Sequence, residues 1–189
     1  MLRRMLKRAE DAQLRGLVDV LRVVPIFQHF SKSVLTQMAE VMHVRQYKRE
    51  EFLYYENDPG LGLYIVRSGR VRLLTEDAQG DVHELRQVGE YELLGEVAVL
   101  GDFRRMESAQ ALVDTEVLGF FSPDMKVMAN RTPKVHAAMT TALAQHLATQ
   151  QVWLMQLLTQ QMGKVDALRL RDEAHALQQT EAPVGRLTN

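Results

Sequence analysis

The stretch LYIVRSGRVRLLTEDAQGDVHELRQV, residues 63–88, decides the fold. Leu63-Tyr64-Ile65-Val66 is an apolar, β-prone run closed by Ser68-Gly69, and Val71-Arg72-Leu73-Leu74 resumes it. Ala78-Gln79-Gly80-Asp81 has hairpin-loop chemistry, and residues 82–88 read as the returning strand. The same texture extends outward. Residues 52–55 precede a turn at Asn57-Asp58-Pro59-Gly60, Leu93-Leu94-Gly95 is a short extended piece, and residues 108–121 give two more strands around Asp114. Many short strands between 46 and 121, spaced by turns, predict an all-β sandwich or barrel rather than a parallel α/β sheet.

On either side the period changes. Ser31 or Ser33 is a ready N-cap for a helix over 34–44, with Leu35, Met38, Ala39 and Met42 on one face. Before it, Val20, Leu21, Val24, Ile26, Phe27 and Phe30 form an apolar cluster broken by Pro25. The first eight residues are basic, and Leu2, Met5, Leu6 and Ala9 have helical spacing. From Pro133 onward Met139, Leu143, Leu147, Leu154, Leu158, Met162, Val165 and Leu168 recur three, four or seven apart. Such a stripe beyond a compact β core predicts a partner, most simply a second copy of the chain. Gly163 is placed to end or kink that helix.

Composition narrows the function. The chain has 189 residues, about one domain's worth, and 46% hydrophobic with 25% charged residues rules out disorder. Zero Cys excludes disulfides, thiolate metal sites and cysteine catalysis, and suits a reducing, cytoplasmic compartment. Lys and Arg number 23 against 24 Asp and Glu, so no global field draws nucleic acid. No apolar run approaches a membrane span. The six His lack metal-ligand spacing, and no nucleophile elbow or Gly-Lys-Ser/Thr phosphate loop occurs, so an enzyme is not expected.

One segment carries chemistry. Gly95-Glu96-Val97-Ala98-Val99-Leu100 is a glycine followed by a single helical turn, whose free N–H groups suit a phosphate. Arg104 or Arg105 can supply a guanidinium to pair it, and Glu96 can accept from a sugar hydroxyl.

This segment resembles the phosphate-binding cassette of the cyclic nucleotide-binding domain family, a Gly-Glu-x-Ala-x-x turn with an arginine shortly after. Residues 56–71 resemble the family's glycine turns and central strands. Residues 114–118 resemble its last core strand, and the helix from Pro133 is similar to the dimer helix of the catabolite activator branch. The resemblance covers about residues 18–160. It implies an α+β fold: an antiparallel β-roll (double-stranded β-helix, jelly-roll-like) with flanking helices and a long C-terminal helix. The expected organisation is a basic N-terminal helix at 1–17, the roll with its helices at 18–132, a dimerisation helix at 133–179 and a tail at 180–189.

The resemblance also implies roles. Arg105 matches the phosphate arginine and Glu96 the ribose 2′-hydroxyl acceptor. Gly95, Val97 and Ala98 belong to the turn lining the pocket, and Ser108 matches the small hydroxyl position beyond the arginine. Leu73 and the Gly69 turn would wall the base, and the helix zone at Thr149, Gln150 and Gln151 would reach it. The expected ligand is a cyclic nucleotide, cAMP or cGMP, with no other cofactor and no metal. The chain departs from the pattern at Met106 and Glu107, where the family has small residues. If Glu107 faces the phosphate, like-charge repulsion at about 5 Å costs on the order of 3 kcal/mol at an effective dielectric near 20. Three functions are therefore weighed: a ligand sensor signalling to a protein partner, a dimeric scaffold of the same fold without ligand, and the sensor part of a transcription regulator. No helix-turn-helix pattern follows Gly163, so direct contact with nucleic acid is not expected.

Overall fold

The computed structural model describes residues 2–180, and the side chains of 7–177. In chain order the elements are α1 (Leu2–Val23), a 3-10 turn (Pro25–Phe27), α2 (Lys32–Ala39), β1 (His43–Tyr47), β2 (Phe52–Tyr54), β3 (Gly62–Ser68), β4 (Val71–Glu76), β5 (Val82–Val88) and β6 (Leu93–Leu94). A second 3-10 turn (Glu96–Val99), β7 (Ser108–Ala111), β8 (Thr115–Phe121), α3 (Ser122–Arg131), α4 (Pro133–Met162) and α5 (Lys164–Thr180) follow. The strands form two antiparallel four-stranded sheets, ordered β1-β8-β3-β6 and β2-β7-β4-β5. Together they make the expected β-roll with flanking helices.

The continuous apolar run of β3 has a simple cause: both its faces are buried. Tyr64 and Val66 point between the sheets, where they meet Leu53, Val71, Leu73, Val88 and Val117. Leu63 and Ile65 point outward, onto a second core shared with Leu118 and Phe120 of β8 and with all four helices α1–α4. Alternation of period two therefore splits one strand between two cores. Phe120 is fully buried in the helix-facing core. Its replacement by alanine is expected to cost roughly 3–5 kcal/mol, or a fall of about 10 °C in midpoint for a chain of this size. Thermal unfolding followed by circular dichroism measures it.

Three boundaries differ from expectation. The Ser31 side chain accepts from the Val34 amide and starts α2, but the helix stops at Ala39. Residues 43–47, partly assigned to it from the apolar spacing, pair instead with β8 from His43↔Gly119 to Tyr47↔Thr115. Met42 is buried without being helical, so its fit to the helical face was a coincidence of spacing. At the N-terminus α1 runs unbroken through the boundary expected at residue 17, because Leu17, Val18 and Leu21 are all buried against the roll. The side chains of Leu2, Met5 and Leu6 lie outside those described.

The third difference lies at the C-terminal end. The helical segment expected over 133–179, with Gly163 placed to end or kink it, is two separate helices, since Gly163 adopts φ 89 and ψ 156, a conformation open to glycine. α5 turns back beside α4. Gln151 and Met155 share clefts with Leu168, Arg171 and His175, and Ala167 is fully buried. The seam is divided accordingly. Met139 and Leu143 belong to the chain's own helix-facing core, whereas Leu154, Met162 and Val165 are exposed. The expected tail lies, from residue 181 on, outside the described residues.

Candidate functional site

A cavity of about 350 Å³ opens where the turn after β6, the loop before β7, strand β5 and helix α4 converge. That size suits a small organic ligand. Local chemistry builds its floor. Gly95 sits in the left-handed region (φ 72, ψ 23) and directs the chain into the 3-10 turn Glu96–Val99. Its carbonyl accepts the Ala98 amide at 3.3 Å, and Val97 and Ala98 line the cavity. The loop carrying the arginines is held by the turn at 57–60. Asn57 N donates to Arg105 O, Arg105 N to Asp58 O and Gly60 N to Phe103 O, each at 2.9 Å. Gly60 must be glycine for steric reasons, because a Cβ there would lie 2.8 Å from the Ala98 Cβ and 2.5 Å from the Phe103 carbonyl.

This clamp separates the two arginines. Arg104 is exposed and donates to the Asn57 carbonyl at 2.7 Å. Arg105 is only 6% exposed. Its Nη2 donates to Gly62 O at 2.6 Å and its Nη1 to Gly95 O at 3.2 Å, while its Nε is buried with no acceptor. The guanidinium carbon stands 4.0 Å above the centre of the Tyr54 ring. Two carbonyls and a ring face offset part of the cost of burying the charge, but no carboxylate pairs with it among the described residues. A buried guanidinium without a counter-charge is a site prepared for an anion.

Glu96 and Gln150 meet at the cavity's far wall. Gln150 Nε2 donates to Glu96 Oε1 at 3.3 Å and lies 2.9 Å from His146 Nε2, which is itself 3.6 Å from the same carboxylate oxygen. Helix α4 thus touches the cassette through two side chains one turn apart. Leu73 lines the cavity from β4. Met106 lines it too, although 72% exposed. Glu107 turns inward, half-buried, and its Oε1 accepts the Tyr54 hydroxyl at 3.2 Å. Burial raises the Glu107 carboxyl above the usual carboxylate range. Burial likewise raises the Tyr54 hydroxyl, with the Glu107 charge adding to the effect.

Other expected contributors lie elsewhere. The Ser108 hydroxyl accepts the Glu56 amide at 2.8 Å and the residue does not line the cavity, because β7 directs it toward β2. The Gly69 turn borders a separate depression with Arg49 and Arg70, and Gln151 faces α5. Asp102 is exposed and outside the lining. Tyr54, Leu85, Arg86, Leu94 and Phe103 are lining or supporting residues that sequence reasoning missed. The signal available for Tyr54 was the short apolar run Phe52-Leu53-Tyr54, of which Leu53 and Tyr54 are both buried. Among the described residues no group of His, Asp or Glu could hold a metal ion, and no helix is long and apolar enough to cross a membrane.

Residues 44–132 match the model of the cyclic nucleotide-binding domain. The chain is 32% identical over 123 residues to the cyclic AMP receptor protein of Thermus thermophilus, an alignment covering 65% of this chain and 57% of that protein. It therefore spans little more than half of that relative's length. Among solved structures, the catabolite activator protein of Thermus thermophilus superposes with a TM-score of 0.59 at 31% identity, covering 70% of this chain and 62% of that one. The N-terminal domain of a transcriptional regulator from Streptomyces coelicolor superposes with a TM-score of 0.65 at 28% identity, covering 71% of this chain and 94% of that domain.

Proposed function

Because residues 44–132 match the cyclic nucleotide-binding domain model, we propose that this chain is a regulatory sensor of a cyclic nucleotide, cAMP or cGMP. The observation that carries this reading is Arg105: a buried guanidinium without a counter-charge, lining a cavity whose opposite wall offers the Glu96 carboxylate. The cyclic phosphate pairs with Arg105 and the cassette turn, and Glu96 accepts from the ribose. To do so Glu96 must share or exchange its present partners, Gln150 and His146. Ligand binding thereby changes how α4 is held, shifting an existing balance between helix positions. No step in this reading breaks a bond in the ligand, so the module is a binding protein and not an enzyme. Calorimetry with cAMP, cGMP and a cyclic dinucleotide tests it directly. Silence with all three overturns it and leaves the second reading, a scaffold without ligand, which the inward turn of Glu107 favours.

The output of the sensor is assigned to its C-terminal helices, acting on a protein partner in the cytoplasm, either alone or as the sensing part of a transcription regulator. Val152, Trp153, Leu154 and Leu157 are each more than half exposed on one segment of α4. A cluster of large apolar side chains this dense favours a covered surface over a free one, and a homodimer through α4 covers it with the fewest components. Sedimentation equilibrium is expected to give twice the chain mass at micromolar concentration. The double replacement Trp153→Glu and Leu157→Glu is expected to shift the protein to monomer with its β content unchanged. A wild-type monomer would end the dimer proposal.

A further inference from the structure

The cavity contains an acidic group for which phosphate binding alone has no use. Glu107 is two residues beyond Arg105, lines the same cavity and accepts the hydroxyl of the tyrosine on which the Arg105 guanidinium rests. Carboxylate and guanidinium share Tyr54 without forming an ion pair, so Glu107 does not cap the guanidinium and adds its own charge to the ligand space. The groups around it come from four elements. Tyr54 on β2 donates to it, Arg105 in its own loop and Arg86 on β5 attract it, and Glu96 in the cassette turn repels it.

We propose that Glu107 is a charge filter, making the cavity prefer a singly charged phosphodiester to a doubly charged phosphomonoester. The inference rests on the cyclic nucleotide reading of the same cavity. Its physical basis is that Coulomb repulsion scales with the product of the charges, so each negative charge on the ligand adds a similar penalty. A steric effect of the same side chain is blind to that charge. The residue also gives the preference a pH dependence. An anion in the cavity favours the protonated carboxyl, so Glu107 titrates higher in the complex than in the free protein. Affinity is then full below the free-state value and is lost as pH rises through the bound-state value. Burial already lifts that range upward in the free protein.

The test is displacement of a fluorescent cyclic nucleotide from the full chain by cAMP and by 5′-AMP at pH 7.5, where the monoester is largely doubly charged. Glu107→Gln is expected to tighten cAMP by roughly tenfold and 5′-AMP by roughly a hundredfold, each factor of ten being about 1.4 kcal/mol. The wild type is expected to weaken for cAMP as pH rises through the titration of Glu107, more steeply than the Gln variant does over the same range. Glu107→Ala, which also removes bulk, must reproduce the charge-graded pattern. Equal gains for both nucleotides, or no gain, overturn the filter while leaving the sensor intact. Failure of every nucleotide to bind the wild type and both variants overturns the sensor reading and the filter with it.

Discussion

Arg105→Ala is expected to weaken cyclic-nucleotide binding at least a hundredfold, a loss of about 2.7 kcal/mol. The guanidinium is the single positive group buried in the cavity, and its donors point from a clamped loop rather than from a flexible surface chain. Without it, a phosphate would enter a space lined by Glu96 and Glu107 with only the solvent-exposed Arg86 and Arg104 to compensate. Arg105→Lys is expected to recover only part of the loss, since an ammonium cannot span the Gly62 and Gly95 carbonyls and still present a fork to phosphate. Stability of the free protein should respond far less. The alanine variant loses two carbonyl bonds and the stacking on Tyr54, but it also relieves the burial of an unpaired charge. Differential scanning fluorimetry separates the two effects. Ligand at a hundred times the wild-type dissociation constant is expected to stabilise the wild type by about 2.7 kcal/mol and the alanine variant by no more than about 0.4 kcal/mol. Near-normal affinity in Arg105→Ala would remove the anion site from the account.

Gly95→Ala is expected to damage binding by a different route. Its φ of 72 places it where an L side chain costs roughly 1–2 kcal/mol. The added Cβ would collide with Arg105 Nη1 and lie 3.3 Å from the Gly62 carbonyl. The guanidinium can only escape by giving up the Gly95 and Gly62 carbonyls that orient it. Affinity is therefore expected to fall tenfold or more, alongside a modest loss of stability. Gly69→Ala is the control. Gly69 has φ 95, and its Cβ would meet the Asp114 carbonyl at 2.7 Å, but it lies outside the cavity. It should destabilise the fold while the folded protein keeps its affinity. Equal affinity in all three proteins would show that the cassette does not hold Arg105 in place.

The two glycines also show how much of the site could be read in advance. The turn at Gly95, the carboxylate at Glu96 and the arginine region were legible because they lie within eleven residues of one another, where spacing alone places side chains. The choice between Arg104 and Arg105 was left open by local chemistry, and only the family resemblance pointed to Arg105. The choice is made by the backbone of Asn57, Asp58 and Gly60, more than forty residues away, which clamps one arginine inward and leaves the other in solvent. Ser108 failed for the mirror-image reason: its position in the motif was right, but β7 presents its hydroxyl to the Glu56 amide. Glu107 was flagged as a departure, and only the closed roll shows that it turns inward onto Tyr54.

Local chemistry in the sequence determined most of the strands, the turns between them, an N-cap at Ser31 or Ser33, the helix break at Gly163 and the cassette itself. Each depends on propensity, periodicity or backbone freedom over a few residues. Tertiary structure alone decided that β3 serves two cores, that Met139 and Leu143 pack inside while Trp153 stays outside, and that His146 and Gln150 reach Glu96. Those outcomes require two sheets to close and a helix to lie across them. Such closure sets distances between residues fifty or more positions apart, which no local pattern encodes.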